Sequence, residues 1–252
     1  MLIDSHCHLN FPDLVNRLPE VLANMAAADV RQALAISVSR DTFAEVLALA
    51  EAHHNIYATV GVHPDQQDTA EFTTAELVAH ARHPKVVGIG ETGLDYHWCQ
   101  GDLDWQHRRF ITHIEAAKQS GLPLIVHTRD AGADTLRLLR EHHAHAGVIH
   151  CFTEDTAFAK AALDLGFYIS FSGIVSFKSA QALRDVAAYV PLERLLIETD
   201  SPYLAPVPYR GKTNQPAYVA KVAECLAQVR HMPLEALAEA SSRNFDQLFF
   251  RT

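Results

Sequence analysis

Short apolar runs rich in Val, Ile and Leu recur along the chain. Each is followed by a turn and then by a longer stretch in which apolar residues return at helical spacing. The runs predict strands over 2–5, 32–38, 56–62, 86–90, 123–126, 147–149, 167–171 and 195–198. Between them lie amphipathic segments: LPEVLANMAAADV, DTFAEVLALAEAHH, DLDWQHRRFITHIEAAKQSG, AGADTLRLLREHH, EDTAFAKAALDLG and SAQALRDVAAYV. Gly121 and Gly166 stand where helices should end, because glycine enters the left-handed conformation of a C-terminal cap without a Cβ penalty.

Successive strands start about 30 residues apart, close to the length of one strand-helix unit. Runs that are apolar on both faces and alternate with helices imply a parallel sheet covered by helices. Eight such units close most simply into a (β/α)8 TIM barrel. An open doubly wound sheet is the alternative arrangement, but no G-x-G-x-x-G follows the first run. No linker, low-complexity tract or shift of composition divides the chain, so one domain over residues 1–252 is expected.

Composition narrows the function more than the fold. No apolar run is long enough for a membrane span or a secretory signal, which predicts a cytoplasmic protein with no membrane association. Nor does any segment mark an obligate protein partner. Cys7, Cys99, Cys151 and Cys225 are scattered without a C-x-x-C pair and read as reduced thiols. A net charge of −9 argues against a protein that coats duplex DNA, since that mode needs many Lys and Arg contacts to phosphates. It leaves room for a local positive groove. The 16 histidines are the unusual feature. Most, including His53, His54, His80, His83, His107, His113, His142, His143 and His145, fall in stretches of polar helical character and read as surface residues.

The remaining histidines sit differently. In a strand, residues i and i+2 share a face, so His6 and His8 project together while Cys7 points away. An isolated His-x-His is as readily a stacked core residue beside a turn cap. Here, however, His63, Glu91, His127, His150 and Asp200 each stand at the C-terminal end of another apolar run. In a barrel those ends converge on the one face that carries active sites. Buried groups of this kind are costly unless a cation or partner compensates them. Nitrogen and oxygen donors without thiolates suit zinc, manganese, cobalt or magnesium, with imidazole favouring zinc-like ions. The donors exceed the demand of a single catalytic ion, so two divalent ions are expected, bridged by Glu91, whose carboxylate has two oxygens to share. Such pairs, about 3.5 to 4 Å apart, activate water and clamp the oxygens of a displacement. The predicted chemistry is hydrolysis.

Seven segments carry a resemblance that runs in order through the chain: DSHCHL at 4–9, GVHP at 61–64, GETGLDY at 90–96, VHTRDA at 126–131, HCF at 150–152, ETDSPYLAPVP at 198–208 and RGKTNQPAYV at 210–219. Together they resemble the TatD family of metal-dependent deoxyribonucleases. The resemblance implies a TIM barrel of the metallo-dependent hydrolase type. It also implies one ion held by His6, His8, Glu91 and Asp200, and a second held by Glu91, His127 and His150. It implies a nuclease that uses magnesium or zinc and degrades single-stranded DNA from 3′ to 5′. Where many members read HCFSG this chain reads HCFTE at 150–154, as in the YcfH-like branch, which weakens the inference of nuclease activity more than that of the metal site.

Asp200 is expected to orient the attacking water and accept its proton, or else to serve as a ligand only. His63 either contacts a substrate phosphate or stiffens the Pro64 turn. Arg129 either offers a fork to phosphate or pairs with Asp130. Tyr203, Arg210, Lys212 and Asn214 lie in a proline-rich segment after the last strand, where barrels bind phosphate, and suit the end of a single strand or another phosphodiester. Glu198 and Ser201 are placed to orient the ligands. A hydrolase of small esters, lactones, amides or phosphotriesters would use the same scaffold, and a noncatalytic metal-binding protein would keep the barrel.

Overall fold

In the computed structural model, which describes residues 1–250, each apolar run becomes a strand. They are β1 (Leu2–Cys7), β2 (Val30–Ala35), β3 (Ile56–Val60), β4 (Val86–Asp95), β5 (Leu124–Arg129), β6 (Gly147–Ile149), β7 (Tyr168–Phe171) and β8 (Leu195–Ile197). All pair in parallel with their neighbours in chain order. The ring closes beyond β8, where Cys7 bridges Ser201 and the N–H of His8 donates to Ser201 O at 2.8 Å. This is the TIM barrel, with helices between the strands.

Strand bounds differ from the pattern in instructive ways. Regular structure in β2 and β3 stops short of Val38 and Val62, yet backbone pairing continues, since His63 N–H donates to Val38 O at 2.9 Å. β4 runs five residues further than its apolar core, through Glu91–Asp95, and pairs Thr92–Asp95 with Val126–Arg129. Gly90, the last residue of the predicted run, and Gly93 both lie inside this strand. Gly90 has φ +145°, and a Cβ there would come within 2.6 Å of Ile125 O, so only glycine lets the strand pass so close to β5.

The pattern passed over four helices: the single turn Pro12–Val15, Thr74–His80, with a reciprocal Thr73/Glu76 cap, and Val219–Val229 and Leu234–Phe249 after β8. The last of these plugs the barrel. Ile3, Leu34, Tyr57, Val87, Ile125, Val148, Tyr168 and Leu196, one from each strand and all but Leu34 near the strand starts, pack with Phe245, Leu248 and Phe249. A separate, larger cluster fills the layer between strands and helices. The strand ends opposite the plug are left for chemistry. Among the described residues, no helix is long and apolar enough to cross a membrane.

Candidate metal centre

The donors expected at the strand ends meet at that open end. Glu91, 2% exposed, is the hub. Its Oε2 lies 3.2 Å from His6 Nε2. Its Oε1 faces His150 Nε2 at 2.7 Å, His127 Nδ1 at 3.2 Å and His63 Nε2 at 3.3 Å. Asp200 Oδ1 stands 3.3 Å from His8 Nε2 and 3.6 Å from His6 Nε2. Three overlapping sets result: His6, His8 and Asp200; His6, Glu91 and His150; and His63, Glu91 and His127.

Backbone pairing past the strand ends fixes these positions. Glu91 N–H donates to Ser37 O, His150 N–H to Val126 O and Asp200 N–H to His6 O, at 2.9–3.0 Å. Asp200 itself has φ +57° and Cys151 φ +41°, left-handed conformations that non-glycine residues rarely adopt and that concentrate at functional sites.

The electrostatics are those of a cation site. Burial alone would raise the Glu91 carboxyl, but His150, His63 and His6 outweigh it and hold the group well below the usual carboxylate range. Asp200 is lowered too, its burial overcome by His8, His6 and His150. Burial pushes His6 down, with the neighbouring His150 adding to the effect. In contrast, the carboxylates of Glu91 and Glu198 overcome burial at His150 and raise it.

The residues also fit a divalent ion. Both ring nitrogens of His6, Nδ1 of His8 and Nδ1 of His150 are buried and lack a hydrogen-bond partner. Such orphaned groups are expensive in a protein interior, and coordination would satisfy those that face the carboxylates. None of the three donor sets includes a cysteine. All four cysteines are free.

The supporting contacts partly depart from the sequence reading. Glu198 fixes the backbone beside His150 by accepting Cys151 N–H at 2.7 Å, and its Oε1 lies 3.4 Å from His150 Nδ1. Ser201 positions His8 through its backbone, its carbonyl accepting His8 N–H, while its hydroxyl accepts from Thr199, whose own side chain and N–H are hydrogen-bonded to Asp4. Asp95 went unrecognised although it sits in the GETGLDY segment. Its Oδ2 holds His127 Nε2 at 2.9 Å, leaving Nδ1 to face Glu91.

His63 stiffens the turn, with Nδ1 on Asp65 Oδ1 at 2.6 Å, while its Nε2 faces the cluster. Arg129 makes no ion pair with Asp130, which pairs with His97 at 3.2 Å; the Arg129 guanidinium lies 5.4 Å from the Trp98 ring centre. Tyr203 is exposed and edges onto Phe11, which stacks on His8. Arg210 rests on Phe177 and donates to Ala205 O, contacts near its own loop rather than to the cluster. Asn214 is fully buried and donates to the carbonyls of Thr199 and Tyr203.

His113 corrects the surface reading of the helical histidines. It is fully buried, its Nε2 accepting from Val62 N–H at 3.1 Å and its Nδ1–H donating to Arg109 O at 2.8 Å. Its polar surroundings in the helix hid the fact that this face turns inward.

The family model for TatD-related DNases matches residues 3–250. YcfH, a metal-dependent hydrolase of Escherichia coli K12, is 47% identical over 253 residues, covering 98% of this chain and 95% of YcfH. YabD, a metal-dependent hydrolase of Bacillus subtilis 168, is 40% identical over 99% of both chains. The crystal structure of YJJV, a TatD homologue from E. coli K12, superposes with a TM-score of 0.93 at 31% identity, covering all of this chain and 98% of the other. Similarity along nearly the whole chain thus agrees with the barrel and its gathered donors, and this chain belongs to the TatD-related DNase family as one of its metal-dependent hydrolases.

Proposed function

We propose that the protein is a phosphodiesterase acting on single-stranded DNA, with residues 1–252 forming one hydrolase domain and two divalent ions, zinc, magnesium or manganese, as its cofactor. The observation that carries this reading is the division of Glu91, one oxygen toward His6 and the other toward His63, His127 and His150. A carboxylate shared in this way suits two neighbouring cations. The DNase description of the matching family supports phosphorus as the electrophile.

His6, His8, Glu91 and Asp200 would hold one ion, and Glu91, His127 and His150 the other. Bound ions supply water activation near neutral pH and neutralise charge developing on the phosphate oxygens. Asp200, ionised and hydrogen-bonded to His8, is the proton acceptor for the attacking water. His63, tethered by Asp65, directs Nε2 to the side of Glu91 where a substrate oxygen would lie. Arg129 and Tyr203 are the substrate contacts further out; Arg210, occupied by Phe177 and Ala205, is not assigned one.

Purified protein with added zinc, magnesium or manganese should shorten a labelled single strand, and Glu91→Gln should abolish this and lower the bound metal per chain. Turnover of a small ester or lactone with no action on any strand would replace the nuclease reading by a small-molecule one. Undiminished hydrolysis by the Gln variant would refute the shared-carboxylate arrangement itself.

A further inference from the structure

Trp98 is the most exposed large hydrophobic side chain, at 66%, and Tyr203 is also open at 54%. Isolated apolar residues on a surface need no explanation, but Trp98 is not isolated. It stands just after β4 at the open end of the barrel. Asp95 divides its carboxylate between the two: Oδ2 holds His127, while Oδ1 accepts the N–H groups of His97 and Trp98 at 2.9 and 2.8 Å. One side chain therefore ties the tryptophan to the metal centre. The base of this segment is fixed as well, since Tyr96 N–H donates to Arg129 O at 3.0 Å. The Arg129 guanidinium lies over the Trp98 ring, 5.4 Å from its centre, and the His97 ring meets it edge-on at 4.7 Å.

A second aromatic wall follows β8 and β1. There Phe11 stacks on His8 at 4.8 Å, and Tyr203 edges onto Phe11 at 6.2 Å. In a ring ordered β1 to β8, strands four places apart are opposite, so the Trp98 wall after β4 and the Tyr203 wall after β8 face each other across the mouth.

We infer that Trp98, with Arg129 on its ring, is a stacking platform for an unpaired nucleobase of the strand whose phosphate enters the metal centre. This deepens the nuclease reading and rests on it. Bases offer a flat π-face whatever their sequence, and an aromatic platform with a nearby guanidinium binds them without a broad basic surface. That suits a chain with a net charge of −9. A duplex keeps its bases stacked on one another, so the platform selects single strands and frayed ends. Because the Asp95 carboxylate accepts the Trp98 N–H and orients His127, a base on Trp98 is positioned relative to the cluster by one rigid residue.

The test uses the metal-loaded protein. Trp98→Ala should raise KM for oligothymidylate about tenfold with little change in kcat, and Trp98→Phe should restore most of the loss. In Trp105→Phe, which leaves Trp98 as the sole tryptophan, a phosphorothioate octathymidylate should quench emission saturably. An abasic strand of equal length and charge should not. Equal quenching by the abasic strand, or an unchanged KM in Trp98→Ala alongside continued strand cleavage, would overturn the platform and leave the nuclease reading standing. Failure to bind or cleave any strand would remove both.

Discussion

Asp95 is the residue on which the most geometry converges. A ligand imidazole must present one nitrogen outward, and the partner of its other nitrogen decides which. Here Asp95 takes Nε2 of His127 and so commits Nδ1 to Glu91. The burial of Asp95 would raise its carboxyl, but the bonds from His127 and from the backbone of Trp98 and His97 lower it, which keeps it an acceptor. Asp95→Asn should weaken metal affinity or turnover by about 10- to 100-fold while the circular dichroism spectrum stays that of the parent. Chelator competition reads the affinity. A variant that binds metal as tightly and turns over as fast would show that His127 needs no such partner.

At the scale of one element, the helix Asp104–Ser120 does more than cover the sheet. Gln106, Arg109 and His113, at spacings of three and four residues, make a buried polar stripe among apolar neighbours. Gln106 bridges Pro64 O and both backbone groups of Asp95. Arg109 donates to the carbonyls of His63 and Gln66 at 2.7 Å and pairs with Glu71. His113 takes Val62 N–H. The stripe thus clamps the loop that carries His63 and the strand end that carries Asp95.

This has a consequence for pH. Burial depresses His113 from 6.5 to about 4, so as pH falls the unfolded chain takes up this proton before the folded one does. The stability from this group is whole above pH 6.5 and is lost on the way down to about 4, in total roughly 3 kcal/mol. Urea unfolding should show about 2 kcal/mol of loss from this source between pH 7.5 and pH 5. His113→Gln, whose amide can accept from Val62 and donate to Arg109, should lack that component. Parallel pH slopes for the two proteins would count against it.

For the whole molecule, stability and chemistry lie at opposite ends of the barrel. The aromatic plug from Leu234–Phe249 seals the strand starts, and the donors gather at the strand ends. Phe245 is 1% exposed, so Phe245→Ala should cost about 3 to 5 kcal/mol of unfolding free energy by opening a cavity. Metal content and turnover measured well below the unfolding midpoint should match the parent. If activity fell with the plug while the fold persisted, the two ends would be coupled through the interior.

Periodicity made much of this legible. Eight apolar runs at regular spacing specify the repeating unit, because a strand buried on both faces and followed by a helix has few other ways to hide its apolar surface. The same logic put His6, His8, His63, Glu91, His127, His150 and Asp200 at strand ends, where a barrel gathers them. What the pattern could not carry was contact. The apolar run stops at Gly90, so the second half of β4, with Gly93 and Asp95, falls outside the pattern; its extended path is set by pairing with β5 alongside. His113, in a stripe with Gln106 and Arg109, reads as surface, since a polar residue in a helix shows its burial only once the loop it bonds is in place. The chain by itself determined which residues point to the mouth, since alternation along a strand is local. Only the tertiary structure decided which oxygen of Glu91 meets which imidazole and what seals the far end, because those depend on packing between segments that are distant in the sequence.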